Sequence, residues 1–326
     1  MDILIDIVAI LAGFALLIWS ADFFVLGASA TARNLGVSPL IIGLTIVGFG
    51  TSAPEMLVAA FAASGGNPAL AVGNALGSNI TNIALVLGVT ALIVPLNVNS
   101  NILKREYPIL LSATLLAVGC MGMDNYLGWV DGLVFIILLF VIMGWLVYQA
   151  MQNKDHDIIE DEFADEIPDH MPMKKALGLL LVGSILLLGS SKLLVWGAIN
   201  VALSLGIPDL IIGLTIVAIG TSLPELAASI VSARKGEHDM ALGNIIGSNL
   251  FNTLGVLGVT GMIQGASLAN GVLSRDLPLM LGLTVFLFMI AFGLHGRGII
   301  NRLEGGFLLA IFIGYEIVLY IAATQT

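Results

Sequence analysis

The chain has 326 residues, of which 58% are apolar and only 10% are charged, and its formal net charge is −10. Soluble domains are closer to half apolar and a quarter charged, so this composition excludes a water-soluble fold and requires a lipid bilayer as solvent. The single cysteine, Cys120, excludes an intrachain disulfide.

Apolar runs between polar breaks predict ten membrane-spanning helices, because about 20 mostly apolar residues are needed to cross the hydrocarbon. The first run follows Met1 and Asp2, lacks the basic region of a signal peptide and continues past signal-peptide length. We therefore expect it to be the first membrane helix. The predicted spans lie near residues 5–30, 40–62, 69–94, 106–122, 127–150, 175–200, 210–232, 240–263, 277–294 and 305–323.

The basic residues predict how these spans are oriented. If the N-terminus is outside, ten Lys and Arg residues fall in cytoplasmic loops: Arg33, Lys104, Arg105, Lys154, Lys174, Lys175, Arg234, Lys235, Arg297 and Arg302. Only Arg275 falls on the opposite side, and Lys192 lies within the sixth span. Since cytoplasmic loops are enriched in Lys and Arg, both termini are predicted to be outside.

The negative charge is concentrated between the fifth and sixth spans. Eight acids lie there: Asp155, Asp157, Glu160, Asp161, Glu162, Asp165, Glu166 and Asp169. Outside this segment 14 acidic and 11 basic residues remain. The segment lacks the Asp-x-Asp-x-Asp-Gly spacing of an EF-hand loop, so we interpret it as a solvated cytoplasmic linker, with calcium sensing as the alternative.

The chain repeats itself at an offset of 170 residues. Residues 35–55 and 205–225 are identical at 15 of 21 positions, and residues 69–90 and 239–260 at 12 of 22. The offset covers five spans, so the two copies cross the membrane in opposite directions, an arrangement typical of secondary transporters. We predict an all-α polytopic membrane protein with ten transmembrane helices as two inverted five-helix repeats. The predicted divisions are a first repeat over 1–151, an acidic linker over 152–173 and a second repeat over 174–326.

Each copy carries the motif Gly-Thr-Ser-x-Pro-Glu in the middle of an apolar span, at residues 50–55 and 220–225. Proline lacks an N–H, and its ring clashes with the carbonyl four residues earlier, so Pro54 and Pro224 should each free one carbonyl. Backbone with carbonyls freed from helical hydrogen bonds is tolerated at membrane depth only where it lines a cavity or is covered by protein.

The polar side chains of this motif share one helix face, since they are spaced by three and four residues. They are Thr51, Ser52 and Glu55 in the first copy and Thr221, Ser222 and Glu225 in the second. An ionised Glu near the bilayer centre costs at least ~2.5–3.5 kcal/mol and usually marks an ion pathway. The alternative interpretation is that both glutamates are protonated and hydrogen-bonded to the backbone, with a structural role.

The next span in each copy adds a polar stripe at intervals of four residues. The stripes are Asn74, Ser78 and Asn82, and Asn244, Ser248 and Asn252. They can line the same cavity as the glutamates, although Asn and Ser also join membrane helices to one another. Asn79 and Asn249 lie one residue off the stripes and are predicted to be structural. The glycines Gly73, Gly77, Gly243 and Gly247 are predicted to allow close helix approach.

These oxygen ligands favour calcium. Calcium accepts 6–8 oxygens in flexible geometry, whereas magnesium demands a tight octahedron. The four motif segments contain no His or Cys, which argues against zinc, copper or iron. Two carboxylates neutralise one Ca²⁺, and Na⁺ has a similar size with half the charge. The oxygen ligands around the two glutamates form one cage that Ca²⁺ and Na⁺ cannot occupy together. We therefore predict a secondary active antiporter that exchanges Ca²⁺ for Na⁺. The alternative is a Ca²⁺/H⁺ or K⁺-dependent antiporter.

Two other classes of function, an intramembrane hydrolase and a passive channel, fit the sequence less well. An intramembrane hydrolase with Ser52 or Ser222 as nucleophile lacks a His or Lys base in the motif helices. A passive channel is disfavoured because inverted repeats are typical of alternating access. We therefore expect a transporter, not an enzyme, without a cofactor. Its expected partners are Ca²⁺, Na⁺ (or H⁺ or K⁺) and the lipid bilayer, with no nucleic acid and no obligate protein partner.

The paired GTSxPE and GNxxGSN motifs resemble those of the calcium/cation antiporter (CaCA) superfamily, most closely the prokaryotic sodium/calcium exchangers of the YrbG type. The resemblance covers the whole chain and implies the prokaryotic cytoplasmic (inner) membrane. It implies that Glu55 and Glu225 bridge Ca²⁺, and that backbone carbonyls of Gly48 and Ala218 are ligands. It also implies that six hydroxyls complete the calcium and sodium sites: Thr51, Thr221, Ser52, Ser222, Ser78 and Ser248.

Asn82 and Asn252 complete the predicted site. Some relatives carry Asp at one of these two positions. Both are Asn here, which leaves two carboxylates in the site.

One charged pair lies outside the motifs. In the family the first and sixth helices slide across the core, and here they carry the repeat-equivalent residues Asp22 and Lys192. Lone charges in a membrane helix are costly, so we predict that these two pair with each other; the alternative is that each side chain reaches separately toward the aqueous end of its helix. Glu316 in the tenth span has no repeat-equivalent carboxylate and receives no role.

Overall fold

The computed structural model describes residues 3–37, 39–98, 100–152, 171–205, 218–268, 271–291 and 298–324, and most of them are helical. The acidic linker and the start of the seventh predicted span lie outside the described residues. We number the helices α1 to α10 after the predicted spans. Their bounds are α1 Ile3–Leu35; α2 Pro39–Ile42, a π-helical turn Gly43–Val47 and Gly48–Ser64; α3 Pro68–Thr81, a π-helical turn Asn82–Leu87 and Gly88–Ile93; α4 Ser100–Asp124; α5 Trp129–Gln152; α6 Met173–Ser204; α7 Ala218–Thr221 and Leu223–Arg234; α8 His238–Leu250, a π-helical turn Phe251–Val256 and Leu257–Ile263; α9 a π-helical turn Val272–Asp276 and Leu277–Ala291; and α10 Arg302–Thr324.

This arrangement confirms a helical membrane protein. Within the described parts of the chain, nine helices are long and apolar enough to cross a bilayer. The remaining predicted span, the seventh, is represented by α7 from residue 218 onward. Among these nine, the fourth predicted span is the shortest, with 19 residues from Glu106 to Asp124 inside a helix of 25 residues.

Two short strand pairs connect loops of the first half to loops of the second. Strand β1 (Leu96–Asn97) pairs antiparallel with β4 (Ile299–Ile300), with Leu96 opposite Ile300. Strand β2 (Tyr126–Leu127) pairs antiparallel with β3 (Ala266–Ser267). Each pair joins loops that the predicted orientation places on the same side of the membrane.

The centre of the molecule is formed by the helices that carry the duplicated motifs. In the most apolar window of α8, 89% of residues are buried, and in that of α3, 72%. The corresponding share for α1 and for α6 is 28%. Helices α3 and α8 therefore form the core, and α1 and α6 lie at the periphery, where most residues of their apolar windows are not buried.

Glycines bring α8 against α2 at backbone contact. A Cβ atom on Gly243 would lie 2.6 Å from the carbonyl oxygen of Leu40, and one on Gly43 would lie 2.7 Å from that of Met240. Gly247 lies against the carbonyl of Leu44 in the same way. The predicted close approach is thus confirmed for Gly243 and Gly247. For Gly73 and Gly77, the repeat-equivalent contact would fall on residues 206–217, outside the described chain.

Helices α1 and α6 pack antiparallel along much of their length. Gly13 faces Leu194, Gly27 faces Leu180, and Phe24 faces Gly183, with close backbone contacts at each point. The residue numbers of each facing pair add up to 207. Residues related by the 170-residue offset therefore lie at the same level only near residue 18 or 19 of α1.

This register overturns the predicted pairing of Asp22 with Lys192. On it, the two residues are seven positions apart along the helix axis, or roughly 10 Å. Asp22 instead pairs with Lys235 at the end of α7, with 3.3 Å between Oδ1 and Nζ. Lys192 is exposed on the surface of α6.

Candidate ion-binding site

The first motif lies on one buried face of α2. The relative exposures of Thr51 and Ser52 are 0%, and that of Glu55 is 1%. The helix runs through Pro54 without a break, but a π-helical turn at Gly43–Val47 precedes it. Such turns are frequent at functional sites.

The second motif is built differently, because α7 is broken at Ser222. This residue has φ −92° and ψ 5° and separates the helical segments Ala218–Thr221 and Leu223–Arg234. Pro224 cannot donate to the Gly220 carbonyl, which instead accepts a hydrogen bond of 2.8 Å from the Ser191 hydroxyl of α6. The freed carbonyl predicted for this copy is thus present and covered by protein.

The two glutamates are brought together from opposite halves of the chain. Glu225, like Glu55, is 1% exposed. The Ser52 hydroxyl donates to Glu225 Oε1 at 3.4 Å, which joins the first motif to the second. Both oxygens of Glu55 and Oε2 of Glu225 have no hydrogen-bond partner within the described structure. Buried charged groups left in this way need a compensating partner.

Helix α8 braces both motif helices through Asn244. Its Oδ1 lies 3.2 Å from the Thr51 hydroxyl of α2, and its Nδ2 donates to the Glu225 carbonyl at 3.2 Å and to Ser229 Oγ at 2.9 Å in α7. In the first copy, the amide of Asn74 makes one longer contact of 3.5 Å to the Glu55 carbonyl. Among the contacts that the structure describes, Asn244 therefore makes three hydrogen bonds and Asn74 makes one.

The Thr51 hydroxyl also lies at the contact of α2 with α8. It is 3.2 Å from Ser248 Oγ, 3.1 Å from the Val47 carbonyl and 3.4 Å from the Gly48 carbonyl. Three predicted ligand positions, Thr51, Gly48 and Ser248, and the neighbouring Val47 carbonyl thus meet within hydrogen-bonding distance.

The asparagines of α3 and α8 face one another across the centre. Asn82 Nδ2 donates to Asn249 Oδ1 at 3.3 Å, and Asn79 Nδ2 donates to Thr253 Oγ1 at 2.8 Å. These contacts agree with the structural role predicted for Asn79 and Asn249. Among the described residues, no partner is found for the buried Oδ1 of Asn82 or for either amide atom of Asn252.

The remaining predicted positions border the same core. Ser78 is buried on α3, and the Ser222 hydroxyl is buried without a hydrogen-bond partner in the described parts of the chain. Thr221 is half-buried in the first segment of α7, which contacts α3. Ala218 begins that segment, and its side chain lies outside what the structure describes.

Sequence reasoning missed two polar residues that support the site, Ser191 and Ser229. Their repeat-equivalent positions are Ala21 and Ala59, so the comparison of the two copies hides them. A signal was available: each is a polar residue in an apolar span at a position where the other copy has alanine.

The fold and the site together are those of a membrane transporter for cations. Inverted helical repeats place buried carboxylate, hydroxyl and amide oxygens at the centre of the helix bundle. The chain belongs to the sodium/calcium exchanger protein family, whose model matches residues 5–148 and 175–321.

Relatives match over nearly the full length. The chain is 48% identical to CaxA of Alkalimonas amylolytica over 319 residues, covering 97% of this chain and 99% of the relative. It is 38% identical to the inner membrane protein YrbG of Escherichia coli over 308 residues, covering 92% and 94%. The solved structure of the sodium-calcium exchanger NCX_Mj, soaked with Na⁺ and Sr²⁺, has a TM-score of 0.81 and 33% identity, covering 100% of this chain and 99% of that one.

Proposed function

We propose that this protein exchanges Ca²⁺ for Na⁺ by alternating access, at a site between α2, α3, α7 and α8. The observation that carries the proposal is the pair Glu55 and Glu225, both buried, on motif helices that the Ser52–Glu225 hydrogen bond joins, with three of their four carboxylate oxygens unpartnered within the described structure. Two carboxylates balance the charge of one Ca²⁺. The same oxygens suit Na⁺, so the two ions compete for one cage.

The oxygens around the glutamates supply the rest of a calcium shell. Calcium requires 6–8 oxygen ligands. We assign the ligands of the calcium and sodium sites together to the two carboxylates, the hydroxyls of Thr51, Thr221, Ser52, Ser222, Ser78 and Ser248, the amide oxygens of Asn82 and Asn252, and the carbonyls of Gly48 and Ala218, of which Ca²⁺ uses a subset. The cage draws on both halves of the chain, so opening toward either side would expose it.

Sodium is proposed as the counter-ion on two grounds. The family that the chain belongs to is described as sodium/calcium exchangers, and MaX1 of Methanosarcina acetivorans, named a sodium/calcium exchanger, is 31% identical over 363 residues, covering 98% of this chain and 99% of that protein. Asparagine at both 82 and 252 also leaves the cage with two carboxylates, which Ca²⁺ already neutralises. We further propose the inner membrane of a prokaryote, with both termini outside.

The test is calcium uptake into proteoliposomes driven by an outward gradient of Na⁺, K⁺ or H⁺ in separate preparations. We expect uptake with the Na⁺ gradient and at least a tenfold loss in Glu55→Gln and in Glu225→Gln. Glu316→Gln is the matched control, because it removes a half-buried carboxylate of α10 that lies outside the motifs. Uptake driven by the H⁺ gradient alone would identify H⁺, not Na⁺, as the counter-ion. Retained exchange in both site variants would refute the site itself.

A further inference from the structure

A groove runs along the outer face of the α1–α6 pair, away from the proposed ion site. It has a volume of about 340 Å³ and is lined by Trp19, Phe23, Lys175, Gly178, Leu179, Val182 and Leu186. The rings of Trp19 and Phe23 meet edge to face, with centroids 4.6 Å apart, and form part of one wall. Lys175 is the one charged residue among the lining residues that the structure describes, and it contributes only its aliphatic part to the groove, whose surface is apolar throughout.

The dimensions of the groove match one leaflet of a bilayer. From Lys175 to Leu186 the groove follows α6 for eleven residues, or about 16 Å. The hydrocarbon core is ~30 Å thick, so this length corresponds to about one leaflet. Lys175 lies in the first turn of α6 beside the exposed Lys174, and the N-terminus of a helix adds partial positive charge. Because the predicted sixth span begins near residue 175, we expect the positive end at headgroup depth and the apolar part at acyl-chain depth.

The internal repeat provides a comparison within the same molecule. The 170-residue offset maps Lys174 to Leu4, Lys175 to Ile5 and Trp19 to Gly189. The mirror-related end of the same helix pair therefore lacks both the basic side chains and the indole ring. Antiparallel packing of α1 on α6 does not by itself require these residues, because the other end packs without them.

We propose that this groove binds an anionic phospholipid, with the phosphate at Lys175 and Lys174 and one acyl chain along Gly178, Val182 and Leu186. Basic pockets between membrane helices on the cytoplasmic side recognise anionic headgroups, and the predicted orientation places this end of α6 on that side. The site lies on the periphery of the molecule and is independent of the proposed exchange reaction. Lipid binding there would make the α1–α6 pair sensitive to the lipid composition of the membrane.

The test is lipid retention by the purified full-length protein in native mass spectrometry, with added phosphatidylglycerol or phosphatidylcholine. We expect phosphatidylglycerol to be retained in preference, and Lys175→Gln to weaken its retention about fivefold. Gly178→Leu should weaken retention of the same lipid by filling the groove, since a Cβ there meets no described atom within 4 Å. The matched controls are Lys192→Gln and Gly189→Leu, which make the same changes at exposed positions of α6 outside the groove.

Three outcomes would overturn the proposal. The first is equal retention of the two lipids, and the second is an equal loss in Lys175→Gln and Lys192→Gln, which would reflect diffuse charge attraction. The third is unchanged retention in both groove variants. Lipid binding is measured without ion flux, so failure of this proposal and failure of the proposed exchange are distinguishable.

Discussion

Replacing Gly247 with alanine tests whether the contact between α2 and α8 sets the geometry of the ion site. A Cβ atom at this position would press against the carbonyl oxygen of Leu44 and would lie 2.8 Å from both the carbonyl carbon and the Cα of that residue. Carbon atoms normally approach to about 3.5–4.0 Å, so the two backbones must separate by roughly 1 Å. Neither neighbour is a flexible side chain that could turn away.

That displacement acts directly on the oxygen cage. Thr51 Oγ1 lies 3.2 Å from Ser248 Oγ and 3.2 Å from Asn244 Oδ1, so a 1 Å shift would stretch both contacts beyond hydrogen-bonding distance. Overpacking of a tight contact costs about 1–3 kcal/mol. If that cost falls on the ion-bound state, the affinity for Ca²⁺ decreases about 5- to 140-fold, since ~1.4 kcal/mol corresponds to a factor of ten.

The assay is calcium binding by isothermal titration together with thermal melting of the purified protein. Gly189→Ala is the matched control, because Gly189 is on the exposed face of α6 and a Cβ there meets nothing within 4 Å among the described atoms. We expect weaker binding in Gly247→Ala alone. If Gly247→Ala binds Ca²⁺ and melts like the wild type, the backbone contact does not determine the cage.

Two further predictions concern the contacts around the site. Asp22→Lys should change the rate of exchange by up to about fivefold, because the ion pair with Lys235 is partly exposed, at 52% for Asp22 and 30% for Lys235, and surface pairs contribute about 0–1 kcal/mol. The double variant D22K/K235D should restore the rate in the same flux assay, whereas additive effects would rule out the pair. Asn244→Ala should destabilise the protein by roughly 2–3 kcal/mol, since it removes three hydrogen bonds at about 1 kcal/mol each. Asn74→Ala removes one long contact, so an equal or larger loss of thermal stability in that variant would contradict the bracing role.

The membrane fold could be predicted from the sequence because it depends on local composition and on identity between the two copies. The shared face of Thr51, Ser52 and Glu55 could be predicted because residues three and four apart on a helix lie side by side. What these faces meet could not be predicted in the same way. The hydrogen bond from Ser52 to Glu225 joins residues 173 positions apart, and helical spacing carries no information about it.

The wrong pairing of Asp22 shows the same limit. Opposite charge and repeat equivalence made Lys192 the expected partner, but the antiparallel register of α1 on α6 separates the two by about seven residues along the axis, roughly 10 Å. That register follows from backbone contacts at Gly13, Gly27 and Gly183. A repeat specifies which residues correspond to one another, and corresponding residues of an inverted pair seldom lie at the same level.

Differences between the two halves bear on how the proposed exchange alternates between sides. Three contacts of the second copy have no counterpart in the first: Asp22 with Lys235, Ser191 with the Gly220 carbonyl, and Asn244 with Ser229. The positions equivalent to Lys235, Ser191 and Ser229 are Gly65, Ala21 and Ala59, none of which can form the mirror contact with its side chain. Two identical inverted halves would make the inward-open and outward-open states equal in energy. Unequal contacts remove that equality, and bound ions then shift the populations only by their difference in affinity for the two states. In the proposed exchange, the resting preference therefore depends on residues that differ between the two copies, whereas Glu55 and Glu225 are shared by both.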